Sequence, residues 1–270
     1  MSPRYAVVGN PIAHSRSPQI HAAFAAQTGH ALSYERILAP LDGFVDTVEQ
    51  FARQGGLGCN VTHPFKLEAF RLAGSHSMRA SLAGAVNTLV FERGRWHGDN
   101  TDGAGLVRDL ADHHGIALAG RSVVVFGAGG AARGVLGPLL EQKPARLVVA
   151  NRTPANARTL AELFGALGRI EAVALDRLAG RFDVAINATS AGLAGAQPAW
   201  PEQLFAPDAF AYDMSYSDTS TPFLRWALAA GAARTADGMG MLIEQAAESF
   251  FLWRGVRPDT SPLYGRLRPR

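Results

Sequence analysis

A glycine-rich turn directly after a continuous apolar run constrains the fold of this chain more than any other stretch. The run VVVF (123–126) is typical of a strand covered on both faces of a sheet. The turn that follows has the spacing G-x-G-x-x-A and leads into a helix and a second apolar strand, RLVVA (146–150). Its first glycine allows a tight turn and its second lets a pyrophosphate approach the backbone. The predicted turn consists of Gly127, Ala128, Gly129, Gly130 and Ala131, with Ala132 at the last position of the motif. A glycine-rich connection without a ligand is the alternative.

The residues after that second strand indicate which dinucleotide is bound. An NAD site usually has an acidic residue there, which holds the ribose hydroxyls. This chain instead has Asn151, Arg152 and Thr153. A carboxylate would repel a 2′-phosphate, whereas an arginine pairs with it, so the stretch predicts NADP(H). A solvent-facing arginine without a ligand is the alternative.

Strand and helix patterns alternate along the whole chain, which predicts an α/β protein with mainly parallel sheets. The middle block, about 104–236, reads as a Rossmann dinucleotide-binding domain. The block 1–103 reads as a separate α/β block. The last block, 237–270, contains a helix at 240–255 but no new strand, so we expect it to pack onto the first block.

Several local signals predict where elements begin and end. Ser17 is expected to be the N-cap of a helix over 17–29 that Gly29 ends. Gly94 is expected in the turn of a hairpin over 86–98. A helix is predicted over 101–115, and the small residues of 190–201 predict a loop.

Composition excludes several function classes. Apolar residues make up 47% and charged residues 18% of the 270, which is a globular composition. The formal charge of +3, with only a short arginine-rich tail at Arg266, Arg268 and Arg270, does not indicate a nucleic-acid partner. The single cysteine, Cys59, excludes a disulfide framework or a cysteine zinc site within one chain, and no metal is expected. No apolar stretch suits a membrane span, and the N-terminus lacks a signal-peptide pattern, so we expect a cytoplasmic protein. The mild basic bias would suit an anionic small-molecule ligand.

Polar residues next to predicted strands and helices in the first block are candidate ligand contacts. Lys66 follows a short apolar strand in CNVTHPFK (59–66), where ligand clefts of α/β proteins form. Ser15 and Ser17 precede a helix, where hydroxyls and N–H groups can bind a carboxylate. From these stretches alone, a surface lysine and a plain helix cap are the competing interpretations.

Nine stretches in this order resemble the shikimate dehydrogenase family and span nearly the whole chain. They are GNPIAHSRSPQIHAAF, NVTHPFK, LAGAVNTLV, GDNTDGAG, GAGGAARG, NRT, NATSAG, YDMSY followed by TPFL, and DGMGMLIEQAAESF. The resemblance implies NADPH-dependent reduction of 3-dehydroshikimate to shikimate, in the route to aromatic amino acids. It also implies a substrate domain formed by both chain ends and a Rossmann domain between them.

The resemblance further implies roles for individual residues. Lys66 and Asp102 would form the catalytic pair, in which the lysine protonates the oxygen of the reduced ketone. Met214 and Gly238 would lie by the nicotinamide. The substrate-binding residues would be Ser15, Ser17, Thr62, Lys66, Asn87, Asp102, Tyr216 and Gln245. Without the resemblance, Asp102 would read equally well as a helix cap and Gln245 as a helix-surface residue.

Three positions depart from the family's pattern. His63 stands where the family usually has an aliphatic residue, and we expect it to be packed or half-exposed without a catalytic role. Met78 stands where an acidic residue often lies near the cofactor. Asn156 replaces a second basic residue after NRT, with Arg158 the nearest cation, so the 2′-phosphate contact is expected to be one charge short.

Two other functions are compatible with parts of the pattern. A quinate/shikimate dehydrogenase that uses NAD or accepts quinate differs by one hydroxyl of the substrate and by the cofactor. The NRT stretch argues against NAD. A non-catalytic ligand sensor with the same fold would be expected to lose Lys66 or Asp102, and both are present. A monomer or a homodimer is compatible with the sequence.

Overall fold

The computed structural model describes residues 2–189 and 200–267. The chain divides into two compact units, and both chain ends contribute to the first. The first unit is Met1–Gly105 with Leu242–Arg266, and the second is Leu106–Met241 with Leu267–Arg270. The loop predicted at 190–201 and the arginine-rich tail lie largely outside the described residues.

The described part of the first unit contains one six-stranded sheet, in the order β2-β1-β3-β5-β6-β4. The strands are β1 (Arg4–Gly9), β2 (Ser33–Leu38), β3 (Gly56–Val61), β4 (Ser75–His76), β5 (Thr88–Glu92) and β6 (Arg95–Asp99). β1 pairs in parallel with β2 and β3, and β4 with β6, whereas β5 is antiparallel to both neighbours. The β5–β6 turn has positive φ at Arg93 (51°) and Gly94 (76°), as the predicted hairpin requires.

Helices of the first unit connect these strands and carry its polar residues. They are α1 (Ser17–Thr28), α2 (Phe44–Arg53), α3 (Lys66–Leu72) and α4 (Met78–Ala83). The prediction that Ser17 caps α1 is wrong, because Arg16 is the flanking residue and Ser17 begins the helix. The hydroxyl of Ser17 instead lies next to that of Ser15. Gly29 ends α1 in the left-handed conformation, as predicted.

The described part of the second unit contains a six-stranded parallel sheet. Its strands are β7 (Ser122–Phe126), β8 (Arg146–Asn151), β9 (Glu171–Ala174), β10 (Phe182–Asn187), β11 (Phe205–Asp213) and β12 (Arg234–Asp237). The order β12-β11-β10-β7-β8-β9 reverses direction between β7 and β10. This is the doubly wound Rossmann order, in which ligands bind at the carboxyl ends of the strands near the reversal.

The remaining helices are α5 (Asp102–Arg108), α6 (Gly130–Glu141), α7 (Pro154–Leu163), α8 (Pro222–Ala229), α9 (Met239–Arg254) and α10 (Ser261–Tyr264). Of these helices, α5 and α9 cross the division between the units, α10 lies in the first unit and the others lie in the second. The helix predicted over 101–115 changes to a π-helix at Asp109–His113. Asp109 is fully buried there and accepts a 2.6 Å hydrogen bond from the Tyr212 hydroxyl. A long-range bond of this kind cannot be predicted from local sequence.

Helix α9 returns the chain to the first sheet. The Trp253 indole donates to the carbonyl of Leu89 in β5, and its ring stacks on Tyr5 of β1 with 4.6 Å between centroids. Cys59 of β3 is completely buried, and burial raises the pKa of its thiol. Across residues 2–189 and 200–267, no helix is long and apolar enough to cross a membrane.

Candidate functional site

A lysine and an aspartate at the starts of two helices form an ion pair in the first unit. Lys66 begins α3 shortly after β3, and Asp102 begins α5 shortly after β6. The Lys66 Nζ lies 2.5 Å from Asp102 Oδ2, and the two side chains are 17% and 7% exposed. Lys66 and Lys143 are the only lysines among the 26 lysines and arginines of the sequence. Arginine occupies all the other positions of this basic set.

An amide side chain completes the surroundings of the Asp102 carboxylate. Asn87 Nδ2 donates to Asp102 Oδ1 over 2.8 Å, so both carboxylate oxygens accept a hydrogen bond. Asn87 Nδ2 also lies 3.3 Å from Gln245 Oε1 on α9. The structure thus brings together Lys66, Asn87, Asp102 and Gln245, which are far apart in sequence.

Two buried serines form a second polar group in the first unit. The Oγ atoms of Ser15 and Ser17 are 3.2 Å apart, and both residues are buried. The backbone N–H of Ser17 also lies 3.3 Å from Ser15 Oγ. The guanidinium of Arg36 holds this turn through two hydrogen bonds, of 2.8 and 2.6 Å, to the Ser15 carbonyl.

The remaining predicted substrate contacts occupy different units. Thr62 follows β3, is half-buried, and is fixed by a 3.0 Å bond from its N–H to the carbonyl of Val8. Tyr216 follows β11 and belongs to the second unit, where it is half-buried. The expectation that His63 is packed or half-exposed is wrong, because the residue is exposed to solvent. Met78 is 81% exposed.

The glycine turn in the second unit has the conformation that a phosphate cradle requires. Gly127 has φ +103°, and a Cβ there would meet Thr189 Cγ2 at 3.0 Å and the Ala188 carbonyl oxygen at 3.1 Å. Gly129 has open space where a side chain would lie. Helix α6 begins at Gly130, so its N-terminal N–H groups lie at this turn. These features fit the pyrophosphate of a dinucleotide.

The end of β8, the strand next to β7, carries a cation. Asn151 ends β8, and its Nδ2 donates to the Thr153 carbonyl over 2.9 Å. Arg152 is exposed, as are Asn156 and Arg158 on or next to the first turn of α7. An exposed guanidinium at the end of the second Rossmann strand fits a 2′-phosphate.

A buried carboxylate that sequence reasoning missed anchors neighbouring segments of the second unit. Asp213 accepts from Asn187 Nδ2 (3.0 Å), the Ser215 N–H (3.0 Å) and the Thr221 hydroxyl (2.6 Å). Burial raises the pKa of Asp213, and these hydrogen bonds oppose that shift. The next residue, Met214, donates its N–H to the Asn187 carbonyl.

Close backbone approach explains the glycine beside Met214. The Gly238 N–H donates to the Ser215 carbonyl over 3.0 Å, and a Cβ at Gly238 would lie 2.2 Å from the Met214 carbonyl oxygen. Gly238 and Met214 are therefore neighbours in the second unit. The family motifs predict Met214 and Gly238, but nothing in the sequence indicates a role for Asp213.

A group of charged side chains in the first unit was also missed. Asp99 accepts from two nitrogens of the Arg79 guanidinium (2.7 and 2.9 Å) and from Ser77. Glu248 on α9 is paired with Arg79 and with Arg257. Burial alone would raise the pKa of Asp99, but the hydrogen bonds and charge of Arg79 outweigh it and lower the pKa. Arg79 directly follows position 78, where the sequence offered no interpretation.

Comparison with known proteins finds relatives that match nearly the whole chain. Models of the shikimate dehydrogenase substrate binding domain, the shikimate / quinate 5-dehydrogenase family and the shikimate 5′-dehydrogenase C-terminal domain match residues 7–89, 109–216 and 238–268. The chain is 59% identical over 269 residues to the shikimate dehydrogenase (NADP(+)) of Alkalilimnicola ehrlichii, covering 100% of both chains.

Two solved structures are similar to this chain over nearly its whole length. An Ael1 enzyme from Pseudomonas putida has a TM-score of 0.91 and 46% identity, covering 100% of this chain and 99% of that one. Shikimate 5-dehydrogenase from Thermus thermophilus, in complex with NADP(H) and shikimate, has a TM-score of 0.84 and 38% identity, covering 96% of each.

The Rossmann sheet with its glycine turn, together with a separate unit that carries a lysine–aspartate pair, defines a dinucleotide-dependent dehydrogenase. The matching family models and the full-length relatives then identify the family within this class. The chain belongs to the shikimate dehydrogenase family.

Proposed function

We propose that this chain catalyses the reversible NADPH-dependent reduction of 3-dehydroshikimate to shikimate, a step of chorismate and aromatic amino acid biosynthesis. The observation that carries the proposal is the largely buried ion pair between Lys66 and Asp102, with Asn87 and Gln245 beside it. Relatives named shikimate dehydrogenase (NADP(+)) that match the full chain support it.

The substrate is a small polar ring with a carboxylate, so its site requires directed hydroxyls and amides. Ser15 and Ser17 bind the carboxylate, since their adjacent buried hydroxyls can both donate to it. The ring hydroxyls contact amide, carboxylate and hydroxyl side chains. These are Thr62, Asn87, Asp102, Tyr216 and Gln245.

Lys66 performs the proton transfer. NADPH, when bound, would supply the hydride that reduces the carbonyl carbon, and negative charge would then build on the carbonyl oxygen. The Lys66 ammonium donates a proton to that oxygen and stabilises its charge. Asp102 fixes the ammonium through the 2.5 Å contact with Nζ. In the reverse direction, neutral Lys66 accepts the hydroxyl proton of shikimate.

Residues of the second unit hold the cofactor. The turn Gly127–Ala128–Gly129–Gly130–Ala131 binds the pyrophosphate. Asn151, Arg152 and Thr153 contact the adenosine ribose, with Arg152 on the 2′-phosphate. Met214 and Gly238, which are backbone neighbours, contact the nicotinamide.

Substrate binding and cofactor binding are assigned to different parts of the chain. We propose that 1–103 with 237–270 is the substrate-binding and catalytic domain and that 104–236 is the Rossmann domain. The compact units described above divide the chain at similar places, within the first residues of α5 and α9. The expected cytoplasmic location and the monomer-or-homodimer state stay predictions.

Initial rates with shikimate or quinate, each paired with NADP or NAD, test the proposal. We expect the highest kcat/KM with shikimate and NADP. Equal or higher rates with quinate or with NAD would favour the broader quinate/shikimate dehydrogenase activity. Absence of turnover in all four combinations, for folded protein that binds NADP, would contradict the proposal and favour a ligand sensor.

A further inference from the structure

A chain of buried hydrogen bonds leads through the first sheet to the Asp102 carboxylate. It starts at Tyr34 on β2, passes Asn60 on β3 and Thr88 on β5, and reaches Asn87. Asn60 is 5% exposed and Thr88 is 0% exposed. The reaction described above gives Tyr34, Asn60 and Thr88 no part.

Backbone groups fix the orientation of both amides in this chain. The Thr101 N–H can only donate, and it lies 2.8 Å from Asn87 Oδ1, so this atom is the oxygen. The other end of the Asn87 amide therefore donates to Asp102. The Asn87 backbone carbonyl can only accept, and it lies 3.3 Å from Asn60 Nδ2, so this atom is the nitrogen.

The hydroxyl of Thr88 has one proton, and its neighbours determine where that proton points. Asn87 Oδ1, 2.9 Å away, can only accept, so Thr88 donates to it. Asn60 Nδ2, 3.1 Å away, then donates to Thr88. The Ser249 hydroxyl, also 2.9 Å from Thr88, accepts a 2.8 Å bond from Asn60 Nδ2.

Tyr34 begins the series. Its hydroxyl donates to Asn60 Oδ1 over 2.7 Å, since the Asn60 amide has its oxygen on that side. Burial raises the pKa of the Tyr34 hydroxyl well above its usual value, against a hydrogen bond with Ser17. The tyrosine therefore keeps its proton and remains a donor.

Every bond in the series points the same way, from Tyr34 through the two amides and the threonine to Asp102. Hydrogen bonds arranged in one direction polarise and strengthen one another. The last donor reaches Asp102 Oδ1, while Lys66 occupies Oδ2. A charged carboxylate with donors at both oxygens is held in a fixed orientation.

We propose that Thr88 is a positioning residue of the dehydrogenase: its hydroxyl, together with the Thr101 N–H, holds the oxygen of the Asn87 amide so that this amide presents its N–H group to the Asp102 carboxylate. The inference rests on the proposed function, because it assigns Thr88 to the same reaction. Asn60 donates a hydrogen bond to Thr88, and Tyr34 donates one to Asn60, so both residues help to hold Thr88 in place.

The decisive experiment is a double-mutant cycle on activity. Thr88→Val keeps the shape of the side chain and removes the hydroxyl. It should lower kcat/KM for shikimate by roughly 5- to 30-fold, the value of one orienting hydrogen bond. The Kd for NADP should not change, because the cofactor residues lie in the second unit. Thr88→Ser, which restores the hydroxyl, should recover most of the activity.

The cycle separates positioning from general damage. In an Asn87→Ala background, Thr88→Val should lower kcat/KM for shikimate by less than about twofold, because the Asn87 amide that Thr88 positions is absent. An equal loss in both backgrounds, or no rescue by Thr88→Ser, would overturn the inference. The matched control is Thr235→Val on β12 of the second unit, which should leave kcat/KM for shikimate unchanged.

A second variant tests the inference if Thr88→Val does not fold. If Thr88→Val does not fold, as judged by circular dichroism, Tyr34→Phe removes the first donor and should show a smaller loss that also vanishes in the Asn87→Ala background. A Tyr34→Phe loss that is absent, or equal in both backgrounds, would overturn the inference. Unchanged activity of Thr88→Val in an active wild-type enzyme would contradict the inference alone, whereas an inactive wild type would contradict the proposed function.

Discussion

The Nζ atom of Lys66 lies 2.5 Å from Oδ2 of Asp102, and each residue is the first of its helix. A carboxylate at a helix N-terminus is stabilised by the exposed N–H groups, whereas an ammonium there is destabilised by about 0.3–1 kcal/mol. Asp102 places a negative charge directly beside the Lys66 ammonium. Because a guanidinium does not release its proton in proteins, the choice of lysine here in an arginine-rich chain fits a proton donor.

Replacing Lys66 tests its chemical role. Lys66→Met keeps the packing of the stem and removes the donor, so kcat should fall roughly 100- to 10,000-fold. Lys66→Arg keeps the charge but cannot transfer the proton, so it should be similarly slow. Shikimate binding, measured by calorimetry, should change much less than kcat.

Lys143→Met is the matched control for these variants, since Lys143 is exposed in the second unit. Its kcat should equal that of the wild type. Near-normal turnover of folded Lys66→Met would show that Lys66 is a structural lysine and that another group protonates the oxygen.

Replacing both serines tests the carboxylate site. The Ser15→Ala/Ser17→Ala double variant removes two buried hydroxyls that lie 3.2 Å apart. KM for shikimate should rise roughly tenfold or more, since hydrogen bonds to a charged group contribute about 1.5–3 kcal/mol each. The Kd for NADP should stay constant. Ser81→Ala, an exposed serine on α4, is the control, and normal kinetics of the double variant would remove the assignment.

Replacing Arg152 tests cofactor selection. Arg152→Ala should weaken NADP binding about 10- to 150-fold, the equivalent of about 1.5–3 kcal/mol for one charge-assisted contact. NAD lacks the 2′-phosphate, so its Kd should hardly change. Arg158→Ala, another exposed arginine close in sequence, should have a smaller effect on both Kd values. Equal weakening of NADP and NAD by Arg152→Ala would make Arg152 a structural residue.

The Asp99–Arg79 pair makes stability depend on pH. The pKa of Asp99 is lowered from its usual 3.8 in the folded protein. The pair therefore stabilises the fold above that usual value, and this stabilisation is lost as pH falls through the lowered pKa. Asp99→Asn should reduce the free energy of unfolding at pH 7 by about 2–4 kcal/mol, since it removes the carboxylate that holds the partly buried Arg79 guanidinium through two hydrogen bonds and leaves Glu248 as a more distant partner.

Urea unfolding at several pH values measures this effect. The difference between wild type and Asp99→Asn should shrink below about pH 4, in the range where Asp99 takes up its proton. Glu171→Gln is the comparison, because Glu171 pairs with Arg146 in a more exposed position and should contribute about 0–1 kcal/mol. A difference that is constant from pH 7 to pH 3 would contradict the assignment.

Features that depend on neighbouring residues were predictable from the sequence. The Gly29 helix end, the Gly94 hairpin turn and the glycine cradle at Gly127 each follow from what one glycine allows its own backbone to do. Ser17 was assigned wrongly because a serine before a proline is typical of an N-cap, yet here its hydroxyl lies beside Ser15.

Features that depend on distant partners were not predictable. Thr88 and Asn60 read as polar residues in buried strands, and only the fold shows that they contact one another and reach Asn87. Asp213 likewise gains its partners, an asparagine and a threonine, from other segments of the chain. The resemblance to the family predicted which residues contact the ligands. The residues that hydrogen-bond to those contacts could be identified only from the three-dimensional structure.

The scarcity of lysine has a practical consequence for labelling. Reagents that acylate primary amines leave guanidinium groups untouched, so besides the α-amino group they have two side-chain targets, Lys66 and Lys143. Lys143 is exposed after the end of α6, whereas Lys66 is 17% exposed and held by a carboxylate. Amine-directed immobilisation would therefore attach the molecule through Lys143 or the α-amino group, and a further decrease in Lys66 acylation on addition of shikimate would report on occupancy of the substrate site.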